Sequence, residues 1–292
     1  MSGPFDLGEE AVYRAWRERK LAEYPRCADD LIVEVRDPKH LSPAERAALI
    51  ERCRRANMAI YRCGGASGED KDLPRLASAQ LGLTRLDANY LADDDGISSI
   101  TPGGGAHGEF IPYTERAIGW HTDGYYNPPA QRILGMVLHC VRPAADGGET
   151  ALLDHDIAYL LLRDANADHI RALCAPDAMT IPARMDGDKV ARAEETGPVF
   201  STIDGGERLH MRYTARGTHI VWKDDAATRA ALAALERVLG DEASRYILRV
   251  KLAPGMGLVC NNVLHNRTAF RDGGTQRRLL YRLRYLDRVT PA

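Results

Sequence analysis

Two histidines and one aspartate in this chain could together hold a metal ion. His121 and Asp123 are separated by a single residue, and His265 follows near the C-terminus. Two imidazoles and one carboxylate form the facial triad that binds non-haem Fe(II) and leaves three neighbouring coordination positions open for reactants. The residue types therefore predict an Fe(II) centre in which His121, Asp123 and His265 are both metal ligands and catalytic residues.

A histidine and an aspartate separated by one residue also occur by chance, so their surroundings matter. Residues 117–126 form a β-prone stretch, and on a strand residues i and i+2 project from the same face. A competing pair, His107 and Glu109, lies in a glycine-rich segment that reads as a loop without fixed ligand geometry. The sequence thus favours His121 and Asp123 as the ligand pair.

Four arginines follow the second histidine motif within a strand-like segment. On a strand, Arg278, Arg282 and Arg284 share one face, while Arg277 lies on the other face and is expected to be solvated. A planar guanidinium near such a metal centre can pair with the far carboxylate of a 2-oxoacid co-substrate. The segment therefore predicts a co-substrate contact as well as a metal ligand.

Helices near the N-terminus and short strands around the motifs must position these residues. The predicted helices cover residues 8–23, residues 42–57 with a Ser-Pro start, and a segment between Asp225 and Gly240. The predicted strands cover residues 58–63, 132–141, 246–252, 256–260 and 279–286. This pattern indicates one mainly β domain over residues 1–292 with surrounding helices, a helical portion at about 1–57 and a jelly-roll core.

Composition narrows the class of protein. The chain has 292 residues, 45% hydrophobic, and its formal net charge of −2 gives no electrostatic reason to expect nucleic acid or an anionic membrane as a partner. No apolar stretch approaches the roughly 18 residues of a spanning helix, and no signal-peptide core is visible. Six cysteines without Cys-x-x-Cys spacing are typical of reduced thiols. We expect a cytoplasmic enzyme that acts on a small molecule.

Several segments together resemble the TauD/TfdA family of Fe(II)/2-oxoglutarate-dependent oxygenases. The resemblance covers roughly residues 40–288 and rests on Trp120-His121-Thr122-Asp123, Gly147-Gly148-Glu149-Thr150, and His265-Asn266-Arg267 followed by Arg278 and Arg282. Weaker similarities lie at residues 197–200 and 209–213. The chain departs from the family at Cys260-Asn261-Asn262, where relatives usually carry Asp-Asn-Arg. This departure leaves open how His265 is supported.

The resemblance implies a double-stranded β-helix that uses Fe(II), 2-oxoglutarate and O₂. It implies that Thr150 and Arg278 bind 2-oxoglutarate and that Arg282 grips an anionic group of the substrate, although Arg282 could instead pair with an internal acid. Tyr125 and Tyr126 either line the substrate pocket or pack in the core. The implied reaction is hydroxylation of a small anionic compound with release of succinate and CO₂.

Other outcomes remain open on the sequence alone. The same metal centre supports desaturation, cyclisation or oxidative C–S or C–O cleavage, and a jelly-roll binding protein without activity could retain the ligands. Assembly as a dimer or tetramer is also open. A separate acidic cluster, Asp154-His155-Asp156, is expected to be a solvated turn before a helix rather than a metal site.

Overall fold

The computed structural model describes residues 3–64, 68–87, 93, 95–103, 110–217, 220–274 and 277–290. The competing pair, His107 and Glu109, lies outside these ranges.

The helices begin where the sequence offers capping side chains. Those in the described residues are α1 (Glu10–Glu23), α2 (Pro43–Ala56), α3 (Asp72–Ala79), α4 (His155–Ala165), α5 (Ala167–Leu173) and α6 (Ala226–Gly240). Ser42 and Glu45 form a reciprocal capping box at the start of α2. Asp225 caps α6 by accepting a hydrogen bond from the Thr228 backbone N–H. The predictions for α2 and α6 are therefore confirmed to within one or two residues.

Strands occupy most of the remaining regular structure. They are β1 (Ile32–Val35), β2 (Met58–Cys63), β3 (Ser98–Ile100), β4 (Ile118–His121), β5 (Gly135–Arg142), β6 (Asp146–Gly147), β7 (Thr150–Leu153), β8 (Met179–Ile181), β9 (Arg184–Asp186), β10 (Lys189–Arg192), β11 (Glu195–Gly197), β12 (Phe200–Ile203), β13 (Arg208–Met211), β14 (Val221–Trp222), β15 (Leu248–Val250), β16 (Met256–Cys260), β17 (Leu264–Arg267), β18 (Phe270–Arg271) and β19 (Leu279–Tyr285). β1 interrupts the N-terminal portion that was predicted to be helical.

The chain divides into two compact units. One combines the N-terminal segment through Tyr24 with Trp120–Arg132 and Leu153–Ile247. It contains α1, α4, α5 and α6 and the small sheets β11-β8-β14, β12-β13 and β10-β9. The other combines Pro25–Gly119, Ile133–Leu152 and the chain from Leu248 onward. It contains α2, α3 and a six-stranded sheet, β1-β2-β16-β5-β19-β3. One domain over residues 1–292 stays a prediction.

The six-stranded sheet has two different faces. The odd-numbered residues of β19, from Leu279 to Tyr285, belong to a hydrophobic cluster that also contains Val137 and Val259. Because side chains alternate across a strand, Arg282 and Arg284 lie on the opposite face. The predicted alternation is therefore confirmed for Arg282 and Arg284, whereas Arg278 precedes β19 and the pairing register shifts between Leu279 and Leu280.

A second sheet, ordered β15-β7-β17-β4, carries the predicted metal motifs. β4 ends at His121 and is the hydrogen-bonded neighbour of β17, which contains His265. Two motifs that are distant in sequence are thus brought to adjacent strands.

Two features bear on the expectations drawn from composition, namely the state of the cysteines and the character of the helices. All six cysteines are free, and four of them are buried. Among the helices of the described ranges, none has the length and apolar character needed to cross a membrane.

The expectation that the Asp154 cluster is a solvated turn is wrong. Asp154 and His155 are at most 1% exposed, and Lys20 Nζ lies 2.6 Å from Asp154 Oδ2 and 2.9 Å from Asp156 Oδ2. Burial by itself would lower the pKa of Lys20, but the two carboxylates raise it above its ordinary value. Asp154 caps α4, and both aspartates pair with the single ammonium group of Lys20.

A buried histidine lies within the six-stranded sheet. His139 Nδ1 is 2.9 Å from the Tyr61 hydroxyl, and its ring is stacked between Tyr61 and Tyr281. A Cβ atom at Gly257 would lie 2.0 Å from the Tyr61 ring, so only glycine fits opposite it. Burial lowers the pKa of His139 to about 4.

This depressed pKa predicts an acid-sensitive fold. Since the unfolded chain binds a proton near pH 6.5, the free energy of unfolding should fall as the pH decreases from about 6.5 to about 4, by up to about 3 kcal/mol. Urea unfolding at closely spaced pH values measures this loss. His139→Gln cannot be protonated, so its profile should be flatter in this window; an equally steep profile would assign the loss to other groups.

Candidate active site

The structure brings the three predicted metal ligands together. One candidate ligand atom from each of His121, Asp123 and His265 lies within 4.8 Å of the others. Asp123 is 5% exposed and His265 is 8% exposed, so the carboxylate and one imidazole are largely shielded from water. Two imidazole nitrogens and one carboxylate oxygen at this spacing suit a divalent first-row metal such as Fe(II).

The local geometry at Asp123 differs from the prediction. β4 ends at His121, and Asp123 lies in the following turn, where Gly124 has a φ of 63°. The alternation of a strand therefore does not direct Asp123. Instead, Thr122 fixes the turn, because its N–H donates to Tyr213 O and its Oγ1 accepts from Tyr213 N–H, at 3.0 and 3.1 Å.

The segment after β13 runs beside the first metal motif. His121 forms an isolated antiparallel bridge with Thr214, and Ala215 N–H donates to Trp120 O at 2.7 Å. The Trp120 indole N–H donates to Leu239 O at the end of α6. These contacts explain the sequence similarity at residues 209–213: this segment braces the ligand motif through its backbone.

His265 is oriented by the backbone rather than by a carboxylate. Its Nδ1 lies 3.0 Å from Val263 O, so Nδ1–H is the donor and the Nε2 lone pair is the one suited to a metal. Asn262 holds the preceding turn with a φ of 55° and donates from Nδ2 to Ile133 O at 2.8 Å. In this chain, where residues 260–262 depart from the family, backbone contacts rather than a carboxylate therefore support the His265 ring.

The neighbouring Asn261 has a structural role. Its Nδ2 donates to Asn57 Oδ1 at 3.0 Å, and its Oδ1 accepts from Val289 N–H at 3.0 Å. Arg288 also donates to Asn57 Oδ1. Asn261 thus ties the turn before β17 to the end of α2 and to the chain beyond β19.

Thr150 and Arg278, the two predicted co-substrate residues, line one small cavity. It is lined by Cys140, Pro143, Ala144, Gly148, Thr150, Lys251, Leu252, Arg278 and Leu280. Arg278 is 4% exposed, and its Nη1 has no hydrogen-bond partner among the described residues. Burial lowers the pKa of Arg278 to about 10. An unused donor on a buried cation is costly, so this cavity suits an anionic ligand.

Two glycines shortly precede Thr150 in the chain, and the second of them, Gly148, lines this cavity. Gly147 and Gly148 have φ values of 66° and 72°, which favour glycine. A Cβ atom at Gly147 would lie 2.2 Å from Ala269 O, and one at Gly148 would lie 3.4 Å from the Phe270 Cβ. The glycine pair is therefore required by backbone shape and close packing, and it leads directly into Thr150.

Arg267 stabilises the segment before β4. It is 6% exposed and donates to Pro112 O, Thr114 O and Arg116 O. Its guanidinium also lies 4.7 Å from the centroid of the Phe270 ring. Burial, reinforced by the nearby charge of Arg278, lowers the pKa of Arg267 to about 9. The arginine of the His-Asn-Arg motif is therefore structural, a role that the sequence analysis did not identify.

The other arginines of the C-terminal segment have different environments. Arg284 is 3% exposed and pairs with Asp87 at 2.5 Å. Arg277 is exposed, as predicted, and donates to Pro102 O. Arg282 is 8% exposed and lies between Leu138 of β5 and Ser98 of β3 in the sheet register.

Tyr125 and Tyr126 are half-buried and contact each other edge to face, with ring centroids 5.1 Å apart. The Arg192 guanidinium lies 5.2 Å from the Tyr126 ring centroid. Burial raises the pKa of Tyr125, and the charges of Arg216 and Arg192 and a hydrogen bond with Thr214 partly oppose this shift.

Comparison with known proteins identifies a matching family and two similar proteins that are named as dioxygenases. The family model described as taurine catabolism dioxygenase TauD, TfdA family matches residues 69–284. A uridine-5'-phosphate dioxygenase of Amycolatopsis sp is 36% identical over 174 residues, which are 58% of this chain and 60% of that protein. A uridine-5'-phosphate dioxygenase of Streptomyces sp is 30% identical over 195 residues, 65% of this chain and 69% of that protein. The chain thus spans less than two thirds of the Amycolatopsis relative.

Solved structures share the fold at low sequence identity. A taurine dioxygenase from Burkholderia xenovorans has a TM-score of 0.58 and 18% identity, covering 90% of this chain and 89% of that one. The non-heme iron oxygenase OrfP in complex with Fe and alpha-ketoglutaric acid has a TM-score of 0.58 and 19% identity, covering 94% and 91%. These likenesses confirm the predicted mainly β jelly roll with surrounding helices.

Proposed function

Because the chain belongs to the taurine catabolism dioxygenase TauD/TfdA family, we propose that it is an Fe(II)- and 2-oxoglutarate-dependent dioxygenase acting on a small anionic substrate. The family uses Fe(II), 2-oxoglutarate and O₂. The observation that carries the proposal is the convergence of His121, Asp123 and His265 to within 4.8 Å, in the donor set that this chemistry requires.

In this proposal the three ligands hold Fe(II) and leave positions for 2-oxoglutarate and O₂. The bound metal supplies the oxidation, which releases succinate and CO₂ and transfers oxygen to the substrate. The chain's own task is positioning: Val263 O fixes the His265 ring, and the Thr122–Tyr213 hydrogen bonds fix the turn that carries Asp123. Shielding of Asp123 from water favours a coordinated carboxylate over a hydrated one.

We assign the cavity beside β7 to the far carboxylate of 2-oxoglutarate. Arg278 would donate its unused Nη1–H to that carboxylate, and the Thr150 hydroxyl would donate a second hydrogen bond. Stacking on Phe270, with the guanidinium 4.9 Å from the ring centroid, holds the Arg278 side chain in place before the ligand arrives.

For the substrate we propose a phosphate ester such as a nucleoside 5'-phosphate. Two relatives at 36% and 30% identity are uridine-5'-phosphate dioxygenases, which agrees with the anionic substrate predicted from Arg282. Hydroxylation of the carbon that carries the ester oxygen would give a hemiacetal phosphate, and its collapse would release inorganic phosphate and leave an aldehyde. The measured products therefore distinguish C–O cleavage from simple hydroxylation.

We further propose that the protein acts in the cytoplasm, which the six free thiols support. Assembly as a dimer or tetramer stays a prediction. Tyr125 and Tyr126 are proposed to line the substrate pocket, since their rings lie directly after the metal motif and are only half-buried.

The metal assignment predicts that the protein binds one Fe(II) per chain. His121→Ala, Asp123→Ala and His265→Ala should each lose bound iron and the visible absorption of the anaerobic Fe(II)–2-oxoglutarate complex, because two ligands hold the metal far more weakly than three. Elemental analysis and absorbance measure both quantities. His107→Ala is the control and should retain full iron content. Full iron binding by His121→Ala would refute the assignment.

The co-substrate assignment predicts a defect in 2-oxoglutarate binding for Arg278→Ala. Breaking a desolvated pair from one side costs on the order of 3 kcal/mol, so the apparent constant should rise by roughly two orders of magnitude. Thr150→Val should cause a smaller rise in the same direction. The matched control is Arg277→Ala, an exposed neighbour that should leave the constant unchanged. An unaltered constant in Arg278→Ala would transfer the role to another cation.

The substrate proposal is tested by succinate and phosphate release with uridine 5'-phosphate, uridine, taurine and an aryloxyacetate. Uridine 5'-phosphate should stimulate succinate formation and release phosphate in equal amount. Arg282→Ala should lose this stimulation but keep the slow decarboxylation seen with 2-oxoglutarate alone, because Arg282 is assigned to the substrate only. Equal loss of both activities would make Arg282 a structural residue. Absence of decarboxylation from the wild-type protein would favour a non-catalytic binding protein.

A further inference from the structure

We propose that Lys251 is a further co-substrate-binding residue, which pairs with the far carboxylate of 2-oxoglutarate from the exposed side of the cavity while Arg278 pairs with it from the buried side. The inference rests on the proposed function, since it takes the ligand of this cavity to be 2-oxoglutarate. Lys251 lies directly after β15, outside the motifs that resemble the family.

The backbone places Lys251 next to Thr150. β15 runs antiparallel to β7 with Val250 opposite Thr150, and Lys251 is the next residue. Lys251 lines the same cavity as Thr150 and Arg278. Its ammonium group lies 3.5 Å from Ala145 O, which directly follows a wall residue of the cavity. The side chain therefore reaches from β15 to another part of the cavity wall.

The Lys251 ammonium group has donors to spare. The residue is exposed, whereas Arg278 is 4% exposed. Within the described ranges, no carboxylate lies within 4.0 Å of this ammonium group, and its one hydrogen bond is the long contact with Ala145 O. Since an ammonium carries three N–H donors, at least two remain for water or a ligand.

The charge balance of the cavity favours a second cation. The Arg278 backbone N–H donates to Asp272 Oδ2 at 3.0 Å, so a carboxylate lies beside this residue. That carboxylate repels an incoming anion and offsets part of the attraction of Arg278. Lys251 restores a net positive charge around a bound carboxylate. Its compact ammonium can also pair with an oxygen that the planar guanidinium does not contact.

Anaerobic titration of the Fe(II) protein with 2-oxoglutarate, followed by visible absorption, measures the Kd. Lys251→Gln should raise this Kd about three- to tenfold, the modest effect expected of a partly exposed ion pair. Lys251→Arg keeps the charge and should bind nearly as the wild type does. Added salt should weaken binding more in the wild type than in Lys251→Gln, because salt screens a pair that the variant lacks.

Binding of 2-oxopentanoate separates this role from a structural one, because that compound has a methyl group in place of the far carboxylate. Its Kd should be the same in the wild type and in Lys251→Gln. The matched control is Arg249→Gln, which removes an exposed cation of β15 that is not among the described residues lining the cavity. This variant should leave both constants unchanged.

Acetylation by acetic anhydride, located by mass spectrometry, gives a readout that does not depend on a variant. 2-Oxoglutarate should protect Lys251, whereas Lys189, which is exposed on β10, should be acetylated equally with and without it.

An unchanged Kd for 2-oxoglutarate in Lys251→Gln would overturn the inference, and so would an equal loss of 2-oxopentanoate affinity or an unprotected Lys251. Wild-type protein that binds no 2-oxoglutarate would overturn it together with the proposed function. Wild-type protein that binds 2-oxoglutarate without decarboxylating it would refute the dioxygenase proposal alone, and the comparison of Kd values would still decide the role of Lys251.

Discussion

Buried guanidinium groups need hydrogen-bond acceptors, and this requirement organises the C-terminal segment that begins with the second metal motif. Arg267 donates to three backbone carbonyls, and Arg284 pairs with Asp87. Arg278 is buried to a similar degree but keeps an Nη1 group without a partner among the described residues. Arg267 also keeps a buried Nε without a partner among the described residues, so the distinction rests on the other contacts. The Arg267 guanidinium is held by three carbonyls, whereas Arg278 lines a cavity beside Thr150.

Phe270 contacts both Arg267, which holds backbone carbonyls, and Arg278, which lines the cavity. The guanidinium groups of Arg267 and Arg278 lie 4.7 and 4.9 Å from the centroid of its ring. Arg267 holds carbonyls of residues 112–116 shortly before β4, which ends at the candidate ligand His121. The same aromatic side chain therefore contributes to holding the strand of a metal ligand and to orienting the residue proposed to bind 2-oxoglutarate.

Backbone groups position several other side chains of the candidate site. Val263 O orients His265, the turn at Gly124 directs Asp123, and paired glycines lead into Thr150. A carbonyl is neutral, so it fixes the His265 ring without adding a second negative charge beside Asp123. In this chain Cys260 and Asn262 stand at the positions where relatives usually carry an acidic residue and an arginine.

The sequence by itself predicted the candidate metal ligands, and it determined the capped helices α2 and α6 and the alternating faces of β19, because metal chemistry and local backbone periodicity restrict residue type and spacing. Tertiary structure alone decided that Asp123 lies in a turn, that the Asp154 cluster is buried on Lys20, and that Arg267 holds carbonyls. It alone placed the Arg192 guanidinium over the Tyr126 ring. Each of these depends on contacts between residues far apart in the chain, and such contacts leave no periodic signal in one sequence.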